Sequence, residues 1–222
     1  MINTELRVET EETELNKYLE RAIYRSQRCQ RNWDLSKKLA EKDIKTIITA
    51  ATECPTKQNT PFFNLYAITD RDIINQIYET TETPKFKNAI VRKNPQVLAN
   101  LVLVYTHNEI IKKKDVQNVD QYKDFLNTAT EEDKIAIFQD RLQAVGISAG
   151  YVNLTASLLG YQSGCCKCFD RPAIQNIIGT TNEPMLIMGV GIKDPNKPRR
   201  EDHVTGDTIG SFNKTIEVTR IY

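Results

Sequence analysis

The sequence predicts a single α+β domain, and three observations predict it. Helical and strand-like segments alternate along all 222 residues with no linker, internal repeat or break in composition. Residues 144–160 (AVGISAGYVNLTASLLG) carry no charge and continue an apolar stripe that begins upstream at Ile135, the pattern of one long helix. Residues 99–106 (ANLVLVYT) and 184–192 (PMLIMGVGI) are apolar at successive positions, as strands covered on both faces are.

Each element follows from its own pattern. Residues 13–24 form a short amphipathic helix that leads into a polar turn rich in Arg and Gln. Residues 43–53 form a second helix with Ile44, Ile47, Ile48 and Ala51 on one face. Residues 57–61 are a loop and residues 63–69 a strand. Asp70 is the expected N-cap of a helix through Thr80, with Ile73, Ile74 and Ile77 inward. Residues 99–106 belong at the centre of the sheet. Residues 107–130 are charged and weakly periodic, a surface excursion or lid.

In the long helix, Ile135, Phe138, Leu142, Val145, Ala149, Val152, Ala156 and Leu159 recur at alternating steps of three and four. Gly146, Ser148, Ala149 and Gly150 are small enough to admit another backbone or a planar ligand. The expectation is a helix buried on most sides, at the centre of the domain or of a dimer. A membrane span does not fit, because it needs about 20 predominantly apolar residues and this stretch carries Ser148, Asn153, Thr155 and Ser157. Residues 164–169 then read as a cysteine-rich strand, 172–178 as a short helix and 184–192 as a buried strand. Residues 214–222 (KTIEVTRIY) alternate like a strand but lie far from any helix that could cover them.

Composition narrows the class. Thirty basic residues against 29 acidic ones leave a formal charge of +1, which argues against nucleic-acid binding by bulk charge and permits a local basic pocket. Residues 1–20 are acidic and polar without an apolar core, and five cysteines are an odd number, so the expected compartment is a reducing cytoplasm. Two histidines leave little room for His-rich metal chemistry.

Three polar segments can carry chemistry. Arg25-Ser26-Gln27-Arg28 sets two guanidinium groups and a hydroxyl at the end of the first helix, where they can hold an anion or simply complement the helix dipole. Residues 54–61 (CPTKQNTP) form a loop between helix and strand; the Thr56 hydroxyl and Asn59 amide can read a heterocycle edge, or the prolines can merely bracket a turn. Lys197-Pro198-Arg199-Arg200 is the densest basic patch, a solvated loop alone or part of a phosphate cage with the first arginines.

The order of these motifs carries a resemblance. RSxR at residues 25–28, the A-x-x-x-P-[ST]-x-x-N loop within AATECPTKQNTP, the element NLTASLLGYQSG, the strand PMLIMGVGIKDP and the basic KPRR resemble the nitroreductase family of FMN-dependent oxidoreductases, over roughly residues 19–200. The resemblance implies a three-layer α+β fold with a central, mostly antiparallel sheet flanked by helices. It implies one FMN-binding domain over residues 1–222, a long central helix at a homodimer interface with FMN between the protomers, and a C-terminal arm, residues 205–222, wrapping the partner. Arg25, Ser26, Arg199 and Arg200 match positions at the FMN phosphate and ribityl tail. Arg28 matches a basic residue on the pyrimidine side, where a fixed cation favours the negative charge that reduction places at N1/O2. Pro55, Thr56 and Asn59 match the loop bordering the cofactor, and Cys166 and Lys167 the segment whose backbone reaches the ring edge near N5. The implied activity is hydride transfer from NADH or NADPH through FMN to a small-molecule acceptor, a nitroaromatic or quinone, by a ping-pong mechanism. No side chain is assigned as catalytic, and neither a nucleic acid nor a membrane is an implied partner.

The sequence also departs from the family pattern. Tyr24 stands where many members have another Arg, the Asn59-Thr60-Pro61 loop is one residue shorter than N-x-Q-P, and SGCCKC precedes Phe169-Asp170. These changes leave room for a specialised flavin enzyme, a dehalogenase or oxidase, or for a dimer that has lost FMN. Cys165, Cys166 and Cys168 have three readings: zinc ligands, thiols activated by Lys167, or small apolar residues packed in a strand. Adjacent strand residues point to opposite faces, which favours packing.

Overall fold

The central sheet has four antiparallel strands in the order β1-β2-β4-β3, with β1 at Phe63–Ile68, β2 at Leu101–His107, β3 at Gln162–Cys166 and β4 at Pro184–Gly191. The structure is a computed structural model that describes residues 13–82, 93–108, 127–197 and 216–221. Among the described residues five α-helices accompany it: α1 (Glu14–Ser26), α2 (Glu41–Thr52), α3 (Arg71–Glu79), α4 (Glu131–Leu158) and α5 (Arg171–Ile178).

Strand periodicity divides the core in two. Leu101, Leu103 and Tyr105 of β2 join Met188 and Val190 of β4 under α2 and α4, against Ile47, Ala51, Val145, Ala149, Val152 and Ala156. Val102 and Val104, the intervening residues of β2, pack with Ile187 against Ile74 and Ile77 of α3 and Ile174 of α5. A fully buried Leu, Ile or Val contributes about 1.5–3 kcal/mol, so a strand buried on both faces anchors three layers at once. The central position expected for residues 99–106 is the one observed, with Leu103 opposite Ala67 of β1 and Met188 of β4.

Local signals place the helix ends. The Asp70 carboxylate accepts the Ile73 N–H at 2.9 Å and caps α3, whose Ile74 and Ile77 are buried while Ile73 is half-buried. Thr130 and Asp133 form a reciprocal capping box that starts α4. Asp170 caps α5 through the Ala173 N–H at 2.9 Å, and Gly179, at φ 66°, closes that helix.

Three expectations change. The stripe of α4 is buried at Val145, Ala149, Val152 and Ala156, but Ile135, Phe138 and Leu142 are 56%, 46% and 39% exposed. At 1.5 Å per residue the 28-residue helix runs about 42 Å, longer than the roughly 26 Å of the eight-residue β4, so the sheet covers only part of it. The strand expected at 164–169 is Gln162–Cys166, because Gln162 and Ser163 pair with Gly191 and Val190, and the chain then leaves the sheet to reach the Asp170 cap. Residues 216–221 adopt no regular structure, and Ile216, Val218 and Ile221 are exposed, since no described strand offers them a ladder. Most of the excursion expected at 107–130, namely 109–126, lies outside the described residues, as do 205–215 of the arm. Among the described residues no helix is long and apolar enough to cross a membrane.

Gly189 marks the tightest approach in the sheet. A Cβ there would run into the Gln96 carbonyl oxygen and sit 2.9 Å from the Ala99 Cβ. Gly189→Ala is therefore expected to destabilise the fold by about 2–3 kcal/mol, the usual cost of overpacking a rigid site, as read from the urea midpoint.

Candidate cofactor site

The first arginine motif sits where α1 meets the C-terminal end of α4. Arg25 Nη2 donates to the Ser157 carbonyl at 3.1 Å, Ser157 Oγ donates to the Ala22 carbonyl at 2.7 Å, and Tyr18 donates to the Leu158 carbonyl. A guanidinium at this helix end complements the partial negative charge of its free carbonyls. Ser26 Oγ donates back to the Ile23 carbonyl at 2.7 Å. Tyr24, Arg25, Gln27 and Arg28 then line a cleft of about 320 Å³ whose far wall is Gln162, the first residue of β3.

A buried glutamine holds that cleft together. Gln30, 1% exposed, donates through Nε2 to Gln162 Oε1 at 2.5 Å, and its Oε1 accepts the Arg31 and Asn32 N–H groups at 2.8 and 2.9 Å. Its own N–H donates to the Ser163 carbonyl at 2.9 Å, which docks the arginine segment on the outer edge of β3. Gln30 and Gln162 were not among the residues expected from the sequence. Their only signal was a polar residue on each side of an otherwise assigned motif.

The ring-edge candidates lie at the other end of the same strand. From Gln162 to Lys167 the chain spans about 16 Å at the usual rise per strand residue. Cys166 is buried and faces the α3–α5 side of the core. Lys167 is exposed and borders a groove of about 600 Å³, with Glu79, Thr80 and Glu82 on one wall and Phe169 and Asp170 on its own side.

Pro55, Thr56 and Asn59 are not brought to this place within one chain. Their loop precedes β1, at the opposite edge of the sheet from β3. The loop is internally fixed: Thr56 Oγ1 donates to the Thr60 carbonyl at 2.9 Å, and Gln58 and Asn59 both have φ 54°. Lys57 Nζ pairs with Asp140 Oδ2 at 2.7 Å. Asp140 precedes Ser157, the carbonyl partner of Arg25, by about 25 Å along α4. Arg199 and Arg200 lie outside the described residues; Lys197, at the start of that basic run, pairs with Asp194 Oδ2 at 3.2 Å.

Burial holds the protons on Cys54, Cys165, Cys166 and Cys168. Burial, reinforced by Cys29, pushes the Cys165 thiol up to about 11, and burial pushes Cys166 up to about 11 as well. Burial also raises Cys54 and Cys168. Of the three readings of these cysteines, packing in the strand is the one the burial supports, since desolvation keeps Cys165 and Cys166 in the thiol form. Cys165 and Cys168 are three residues apart, a spacing used by metal and redox sites, but Cys165 packs on the α2–α4 side of the sheet and Cys168 on the α3–α5 side. Among the described residues no group of three or more His, Cys, Asp or Glu could hold a metal ion.

A thiol that holds its proton more tightly when folded stabilises the native state below its unfolded value and loses that contribution as pH rises to its folded value. With an ordinary value of 9.0 and folded values of about 11, the urea midpoint is expected to fall between pH 9 and 11. Urea titrations across that range should show a shallower fall for Cys165→Ala/Cys166→Ala.

Comparisons with known proteins bear on the family and the fold. The model of the nitroreductase family matches residues 24–192. The fold is similar to a nitroreductase family protein from Streptococcus pneumoniae, at TM-score 0.60 and 15% identity, covering 80% of this chain and 92% of that one. It is similar to a candidate nitroreductase from Exiguobacterium sibiricum solved in complex with FMN, at TM-score 0.59 and 15% identity, covering 82% and 91%. A candidate NAD(P)H:FMN oxidoreductase from Staphylococcus epidermidis gives TM-score 0.59 and 16% identity, covering 87% and 95%. No curated protein sequence matches significantly.

Proposed function

Because this chain belongs to the nitroreductase family, we propose that it is an FMN-dependent oxidoreductase that passes hydride from NADH or NADPH to a small conjugated acceptor, a nitroaromatic or quinone, in alternating half-reactions. The observation that carries the reading is the cleft in which Arg25 and Arg28 face Gln162 at the start of the edge strand. Its donor set fits a phosphorylated planar cofactor: two guanidinium forks, that of Arg25 anchored on the Ser157 carbonyl, suit an anion, and an amide suits a polar ring or chain. Arg25, Ser26, Arg199 and Arg200 would hold the phosphate and ribityl tail. Arg25 gives one N–H to the Ser157 carbonyl and keeps others of the same fork for a ligand. Arg28 would set a positive charge beside the pyrimidine edge, favouring the reduced ring. Bound FMN supplies the hydride chemistry at N5, so the protein's task is binding, orientation and electrostatics. Five free cysteines, with the buried ones protonated, suit the reducing cytoplasm.

The working unit is a homodimer. Gly146 and Gly150 leave open space where a Cβ would project, and Tyr151 and Leu154 beside them are 47% and 36% exposed. On α1, Tyr18, Leu19 and Ile23 add to this apolar surface at 44%, 37% and 49% exposure. Exposed apolar surface beside small helix residues is what a close helix–helix interface requires. A two-fold axis passing α4 between Gly146 and Gly150 sets the Asp140 end of one helix beside the Ser157 end of the other. It thereby brings the partner's Pro55, Thr56 and Asn59 loop, which a single chain keeps about 25 Å away, to the arginine cleft.

Purified protein is expected to be yellow, with the flavin absorbance bands, and to oxidise NADH or NADPH with a nitroaromatic or quinone. Colourless protein that takes up no added FMN would overturn the reading. Arg28→Ala is expected to weaken FMN binding about tenfold, the scale of one charge-assisted hydrogen bond, and to lower the flavin potential. Gly150→Arg should yield a folded monomer by light scattering that retains little FMN; a dimer of normal FMN content would count against the interface.

A further inference from the structure

We propose that the groove beside Lys167 is the acceptor subsite of the flavin reaction proposed above, and that Lys167 selects acceptors bearing an acid group on a conjugated body. The groove has the volume of a small-molecule site, about 600 Å³. Its walls are pre-formed, because the Asp170 N–H donates to the Thr80 carbonyl at 3.0 Å and the Glu82 N–H to the Cys168 carbonyl at 3.2 Å. Phe169, Cys168 and Ala173, all half-buried, give it an apolar side for a ring.

The charges around the groove are not equivalent. Glu79 and Glu82 share Lys93, at 3.8 and 3.9 Å, and Lys93 also donates to the Glu79 carbonyl. The Asp170 carboxylate is engaged by the Ala173 N–H at the start of α5. Lys167, by contrast, makes no ion pair or side-chain hydrogen bond among the described residues. Its ammonium stands at the end of β3, the strand that begins at the arginine cleft, so a ligand spanning groove and cofactor must pass it. A carboxylate or sulfonate satisfies that ammonium, while a conjugated ring covers Phe169. The carboxylates of Glu79, Glu82 and Asp170 define the rival occupant, a cationic ligand drawn to the α3 wall.

Calorimetry on the FMN-loaded protein tests this with three probes of one body: 4-nitrobenzoate, its methyl ester and 4-nitrobenzylammonium. The wild type is expected to bind the acid best. Lys167→Gln should lower the acid-to-ester affinity ratio about fivefold, the upper range for an exposed ion pair, and Lys167→Arg should keep most of it. Raising the salt should erode the ratio in wild type alone. Tightest binding of the benzylammonium, or a ratio unmoved by Lys167→Gln, would overturn the proposal. A loss confined to NADH or NADPH affinity would assign Lys167 to the donor's phosphates and also overturn it. Failure of the flavin reading is separable. Protein that binds no FMN yet shows the Lys167-dependent ratio loses the oxidoreductase assignment and keeps the anion subsite; yellow, active protein with an unmoved ratio does the reverse.

Discussion

Burial of β2 on both faces is the constraint from which the rest of the structure follows. A strand whose successive residues are all apolar has no solvent side, so it needs a strand on each edge and a helical layer on each face. Leu101, Leu103 and Tyr105 call for α2 and α4; Val102 and Val104 call for α3 and α5. That arrangement puts β1 and β3 at the two edges, and the described candidate cofactor residues lie beside those edges. The functional surface is thus set by what the central strands exclude.

The second determinant is the mismatch between α4 and the sheet beneath it. The C-terminal half of the helix buries one face, Arg25 and Tyr18 close its Ser157 and Leu158 carbonyls, and the Ser157 hydroxyl ties it to the Ala22 carbonyl of α1. The same contacts place the arginine motif beside β3, so a structural clamp and a ligand cleft share one guanidinium. The side of the helix turned away from the sheet leaves small and apolar residues uncovered around Gly146 and Gly150, and the polar loop after α2 lies at the wrong end for a one-chain site. The homodimer proposed above answers both the incomplete site and the uncovered helix face.

Much of the fold was legible because its signals are local. Asp70 before an Ile-rich period, Asp170 before Pro172 and the apolar runs of β2 and β4 each state an element within a few residues. The site was legible in part, since RSxR marks the end of α1 and its likeness to a family names the cofactor chemistry. Gln30 was not legible, because its role depends on meeting Gln162, 132 residues away. The state of the thiols was legible only as a choice among readings, because desolvation by distant side chains sets the proton affinity of Cys165 and Cys166.

By itself the sequence determined the α+β class, the central strands, the helix caps and the presence of separated basic motifs in a chain of net charge +1. Those properties depend on neighbours within a turn or a strand. Only the tertiary structure decided which motifs meet. It placed Arg25 and Arg28 in one cleft with Gln162, set Lys167 on the edge of a groove with no ion pair among the described residues, divided the cysteines between two faces of one sheet, and put the Thr56–Asn59 loop at the far edge from that cleft. Such meetings depend on how the strands are ordered and where a 28-residue helix outruns its sheet, which are properties of packing that no local pattern records.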